Sequence, residues 1–151
     1  MSQEKSNFAP LDWEKLPWEQ TPYQGVFIHK VEEKLDPLNP GIPLSTVMAL
    51  KLNPNAIIPL HRHNREAGWA ETIILPNGGW FETKSDQESK EINTKDSITI
   101  VIKAGEIFGL KNIHPSKPLY FFSRMQPGFT GYGEIEEVTE ETLRKSLILR
   151  S

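Results

Sequence analysis

His61 and His63, in the run Pro59-Leu60-His61-Arg62-His63, and Glu71, eight residues further on, are the side chains best placed to do chemistry in this chain. Alternate residues of a β-strand project to one face, so an H-x-H pair on a strand delivers two imidazoles into one volume. Two neutral imidazoles with a carboxylate are the usual donors to a divalent metal that keeps open positions for a further ligand. The plain alternative is a pair of surface or hydrogen-bonded core histidines and a solvated strand carboxylate. Glu71 shares its strand face with Ile73 and Leu75, however, and an unpartnered carboxylate among apolar neighbours is costly. Glu66 reads as a solvated loop acid, with a lid acid or alternative ligand as its sharper role.

The rest of the chain excludes several chemistries. There are no cysteines, which removes disulfides, thiol nucleophiles and Cys-ligated zinc or iron–sulfur centres. No G-x-S-x-G, G-x-x-x-x-G-K or G-x-G-x-x-G pattern is present, so serine-nucleophile, P-loop and dinucleotide readings fail. A net charge of -3 and a pI near 5.8, without a Lys/Arg run, leave no footprint for nucleic acid. A polar N-terminus and the lack of a long apolar run predict no signal peptide, no membrane span and a cytoplasmic location.

The 151 residues suit one domain with short extensions, and 12 prolines with 10 glycines argue against an all-helical chain. Residues 1–21 read as an N-terminal arm whose Trp13 and Trp18 pack on the outside of the domain or across a subunit interface. From there β-branched and aromatic runs alternate with turn signals. Strands are predicted over residues 25–31, 45–52, 57–63, 70–75, 80–83, 97–102, 107–111 and 119–125, with 84–95 as an exposed hairpin loop. Many short strands at close spacing indicate an all-β sandwich or barrel. The domain is placed at 22–137, and the tail 138–151 reads as a short helix capped by Thr139, with Leu143 and Leu147 on one face.

The chemistry-bearing residues resemble the two motifs of the cupin superfamily, small barrels of jelly-roll type. Its first motif runs glycine, five residues, His-x-His, a spacer, Glu, six residues and glycine. Here Asn55 takes the first glycine's place, His61-Arg62-His63 follows, and Glu71 through Gly78 completes it. Asn is the best substitute where a turn needs positive φ. The spacer, residues 64–70, is longer than the family's usual one, so it must loop out at the rim. The second motif, Pro-x-Gly-x-x-His-x-x-x-Asn, matches Lys103 to Asn112 in its Gly105, Asn112 and spacing, but Phe108 replaces the histidine that usually completes a metal site.

The resemblance implies a jelly-roll β-barrel, with His61, His63 and Glu71 as ligands to one divalent ion (Fe, Mn, Ni or Zn). His114 is a fourth candidate, although six residues past Phe108 is about 20 Å along a straight strand. Phe108, Asn112, Trp80 and Ile73 are the expected pocket residues. Members with such sites are often dioxygenases, isomerases or lyases acting on small organic molecules. The competing expectation is a non-catalytic cupin whose site has lost its metal and serves as a small-ligand, sensor or accessory module. A homodimer is the expected assembly, and a purely structural dimeric domain with the Trp13/Trp18 arm exchanged between subunits is a third possibility.

Overall fold

The computed structural model describes residues 12–139. After a single 3-10 turn at Trp13–Lys15 come eleven strands: β1 (Glu19–Gln20), β2 (Val26–Lys34), β3 (Ser45–Leu52), β4 (Ile57–His63), β5 (Ala70–Leu75), β6 (Gly79–Lys84), β7 (Ser89–Thr94), β8 (Ile98–Lys103), β9 (Phe108–Asn112), β10 (Leu119–Gln126) and β11 (Ile135–Glu137), the last preceded by a 3-10 turn at Tyr132–Glu134. They form two antiparallel sheets, ordered β1-β2-β3-β10-β5-β8 and β11-β4-β9-β6-β7. From β3 onward each strand crosses to the other sheet, except in the β6–β7 hairpin, which is the jelly-roll arrangement. The alternating sequence dictates the layers. On β5, Glu71, Ile73 and Leu75 are buried while their neighbours are only half so. Together with Val26, Leu52, Phe81, Ile102, Phe108, Leu110, Leu119 and Phe121 they fill the space between the sheets.

Two local features fix the strand that carries the histidines. Asn55 adopts φ 67°, as its place in the turn predicts, and its N–H donates to Asn112 O at 2.9 Å. Further on, β4 pairs with β9 through Ile58↔Leu110 and His61↔Phe108, so β4 spends one residue more than its partner between those pairs. This is a β-bulge, at Pro59, which has no N–H to offer the ladder. The bulge breaks the period of two. Ile58, His61 and His63 consequently line one cavity although strict alternation would turn Ile58 away.

The 84–95 segment departs from expectation: it contains β7, which pairs with β6 from Gly79↔Thr94 to Lys84↔Ser89. Only Ile92 of this edge strand packs on the core, so its sequence carries no hydrophobic alternation to betray it. Trp13 stacks on Tyr120 at 5.1 Å and meets Phe122 at 4.9 Å between ring centroids, covering the outer face of the six-stranded sheet with Leu16 and Trp18. The predicted C-terminal helix falls almost wholly on residues outside those described. Among the described residues no helix is long and apolar enough to cross a membrane.

One turn glycine is held where a side chain would be strained. Gly78 has φ +61°, and a Cβ there would lie 2.4 Å from Thr94 O and 2.6 Å from Asp96 O, both backbone atoms that cannot swing aside. Gly78→Ala is expected to lower the unfolding free energy by about 2–3 kcal/mol, read from urea midpoints. Gly105→Ala is the control, since its φ is +77° but the space beside it is open. Equal losses in the two variants would show that the clash contributes nothing.

Candidate functional site

One mostly apolar cavity of about 80 Å³ lies between the sheets, and His61, His63 and Glu71 all line it. Its walls include Ile28, Leu50, Ile73, Phe108, Phe121 and Met125. Phe129, Tyr132 and Ile135 come from the segment after β10, which is sewn to β4 by the β11 pairing and by Val138 N–H donating to Leu60 O at 2.8 Å.

Each polar side chain of the site is held by a named partner. His61 Nδ1 lies 2.8 Å from Pro59 O, so this nitrogen carries the proton and donates. His63 Nδ1 lies 2.5 Å from Glu134 Oε2, while its Nε2 stands 3.6 Å from Glu71 Oε1. Glu71 Oε2 accepts from Ser123 Oγ at 2.5 Å. Glu134 is itself anchored: Oε1 accepts from Arg65 Nη1 at 3.0 Å and from Thr130 N and Oγ1, each at 2.9 Å. The His63 ring stacks on Trp69 at 4.6 Å, and the Arg65 guanidinium sits 5.8 Å from the Trp69 ring centre. Arg65 thus brings the long spacer back over the site and closes a buried chain, Arg65–Glu134–His63–Glu71–Ser123.

Burial pushes the His61 imidazole below its usual pKa, although the Pro59 carbonyl and the Glu71 charge pull the other way. It is therefore neutral at neutral pH, with Nε2 free to act as a donor atom. At Glu134 burial works upward, but the hydrogen bonds from His63 and Thr130 outweigh it and hold the carboxyl below its ordinary 4.5. A carboxyl with a depressed folded pKa adds stability that is complete above its unfolded pKa and disappears as pH falls through the folded value. The protein is accordingly expected to lose stability below about pH 4.5. Glu134→Gln should flatten that limb in a series of urea midpoints against pH. Parallel acid limbs in the two proteins would rule Glu134 out as its source.

The structure brings together four of the sequence-predicted residues and Ile73 with them: His61, His63, Glu71 and Phe108 share the cavity. It does not bring Trp80, Asn112 or His114 there. Asn112 Nδ2 donates to Leu52 O, Asn53 O and Lys117 O, tying turns together. Its Oδ1 accepts from His114 N, which turns the chain before Pro115. His114 Nδ1 then accepts from the N–H groups of Ser116 and Lys117, and its ring meets Trp80 edge-on at 5.8 Å. His114 is thus occupied as a turn residue. Glu66 is exposed and paired with Arg65 at 3.3 Å. Ser123, Arg65 and Glu134 are the polar residues that sequence reasoning missed. Among the described residues no three His, Cys, Asp or Glu side chains are gathered closely enough to form a ready metal site.

No protein-family model matches the chain, and no curated protein matches it in sequence. Solved structures do match. A protein from Shewanella oneidensis aligns at TM-score 0.65 and 14% identity over 99% of this chain and 96% of that one. The polyketide cyclase RemF from Streptomyces resistomycificus aligns at TM-score 0.58 and 14% identity over 91% and 92%. A cupin-2 domain protein from Rhodospirillum rubrum aligns at TM-score 0.54 and 16% identity over 84% and 74%. Identities this low speak for architecture alone. With its two-sheet jelly roll and its histidines on an inward strand, the chain has the fold of the cupin superfamily.

Proposed function

We propose that this protein is a small cupin that holds one divalent metal on His61, His63 and Glu71 and presents it to a small organic molecule in the barrel. The observation that carries the reading is the disposition of the imidazole nitrogens. Both Nδ1 atoms are committed to acceptors outside the donor set, Pro59 O and Glu134, which leaves both Nε2 atoms as lone-pair donors. The donor set fits a divalent ion chemically. The 3.6 Å from His63 Nε2 to Glu71 Oε1 is close to the roughly 3.4 Å that separates two ligands on a tetrahedral ion. The 5.3 Å between the two imidazole centres is likewise close to the roughly 5 Å of two imidazoles sharing one ion.

Bound there, the ion would supply Lewis-acid polarisation at its open positions. The chain's own residues do the remainder. Ser123 fixes the Glu71 carboxylate, leaving Oε1 turned toward His63. Phe108 and Phe121 exclude water and offer flat apolar walls to a ligand. Chemistry of the dioxygenase, isomerase or lyase kind on a small organic molecule suits such a site, and an enzyme, RemF, is among the proteins that share the barrel.

A second reading has its own support. Phe108 stands directly across from His61, where it cannot ligate, and the three donors are not drawn into a closed cluster. On that reading the barrel takes a small ligand without metal, as a sensor or accessory module. Metal analysis of protein purified without a histidine tag decides between them. Near-stoichiometric iron, manganese, nickel or zinc that is lost in His61→Ala supports the metal reading. A site that stays empty after dialysis against each ion at neutral pH overturns it in favour of the second.

A further inference from the structure

The two histidines of the site are oriented by different devices. His61 is set by its own backbone: the bulge at Pro59 places the Pro59 carbonyl, a main-chain acceptor two residues away, against Nδ1. His63 is set by a side chain 71 positions distant in sequence, Glu134, carried on the segment that closes the barrel after β10. We propose that Glu134 is the positioning residue of the site, and that it acts by holding a His63 ring proton on Nδ1 so that Nε2 is the nitrogen left to face the cavity. This inference rests on the metal reading for its consequence, but the proton placement stands without it.

The geometry around Glu134 makes the assignment specific. Three donors converge on Oε1: Arg65 Nη1, Thr130 N and Thr130 Oγ1. Oε2 is left to His63 Nδ1. Two of the three donors to Oε1, the Arg65 guanidinium and the Thr130 amide N–H, can only donate, so an oxygen must stay at that position whichever way the Thr130 hydroxyl turns. Arg65 is fixed in turn by Gly128 O, at 2.8 Å, and its side chain is 4% exposed. Asn64 N–H donates to Glu134 O at 2.8 Å, so the spacer and the closing segment are joined through backbone as well. The extra length of the spacer between His63 and Glu71 thus has a use: it returns Arg65 to the carboxylate that orients His63.

Glu134→Gln turns this arrangement into a test, since it is nearly isosteric and yet reverses one bond. The three converging donors will pin the amide oxygen at the Oε1 position. The amide NH₂ then faces His63 Nδ1, which must become an acceptor, and the ring proton moves to Nε2. A proton on Nε2 blocks that atom as a ligand. Nitrogen-15 NMR of metal-free protein, at a pH well above the imidazole range, reads the tautomer of each histidine directly. The expected result is an Nδ1–H tautomer for both His61 and His63 in the unaltered protein. In Glu134→Gln, His63 alone should switch to Nε2–H while His61 stays as an internal control. Zinc affinity, measured by competition with a chromophoric chelator, should fall about 10–100-fold in the variant, the usual range for losing an outer partner of a ligating histidine.

An Nε2–H tautomer for His63 in the unaltered protein overturns the proposal, and that measurement needs no variant to fold. So does an unchanged tautomer in folded Glu134→Gln. Zinc binding by the unaltered protein with undiminished affinity in a variant that has switched would also overturn the claimed consequence. If zinc does not bind the unaltered protein at all, the metal reading fails, and the tautomer alone then upholds or overturns the role of Glu134.

Discussion

Replacing Arg65 by methionine is expected to destabilise the protein by about 3 kcal/mol, at the lower edge of the range for breaking a buried ion pair. Methionine keeps the apolar stem over Trp69, so what is removed is the charge and its hydrogen bonds. The Arg65 and Glu134 side chains are 4% and 3% exposed, and water cannot take over from the lost guanidinium. Glu134 would keep Thr130 and His63 as partners, which is why the upper part of that range is not expected. Arg65 also donates to Gly128 O, so its loss frees the beginning of the segment that carries Phe129 and Tyr132 to the cavity. Urea unfolding measures the loss. Adding Glu134→Gln to Arg65→Met should recover part of it, because the uncompensated buried charge is then gone. A loss below about 1 kcal/mol, the level of an exposed pair, would mean that the network is solvated and cannot anchor the site.

How the site assembles also explains which parts of it are legible in the sequence. His61, His63, Glu71 and Ile73 are legible because strand alternation is local, and the inward face of β5 follows from three residues two apart. Phe108 is legible from its place in the second motif, and it pairs directly with His61. His114 misleads for a physical reason. Parity along Phe108, Leu110 and Asn112 holds only while the strand continues, and the Asn112 side chain ends it by capping His114 N. Ile58 is hidden by the bulge at Pro59, which no count by twos anticipates. Ser123 had a signal, since it shares an inward face with Phe121 and Met125, where a lone hydroxyl needs a partner. Glu134 had none. It lies in a short aperiodic segment, and only the pairing of β11 with β4 brings it to His63.

Phe108→His is expected to have opposite effects on the metal-free and the metal-loaded protein, and that opposition makes it the sharpest test of the proposed metal site. Phe108 is 8% exposed, lines the cavity and stands across the strand pair from His61. In metal-free protein an imidazole there gives up apolar packing and buries a polar ring with no assigned partner, a cost of about 1–3 kcal/mol. With metal present the same ring is a fourth donor where the family's second motif puts one. Each tenfold gain in affinity corresponds to about 1.4 kcal/mol, and a gain of at least that size is expected from the added ligand. Thermal unfolding with and without zinc should therefore show a lower Tm than the unaltered protein when metal-free and a wider metal-dependent rise, since a ligand that binds only the folded state stabilises it by mass action. If Phe108→His is merely destabilised and zinc leaves its Tm where it was, then three donors plus a fourth do not make a metal site in this barrel. The cavity would then belong to a small ligand alone, with His61 and His63 as its hydrogen-bonding floor.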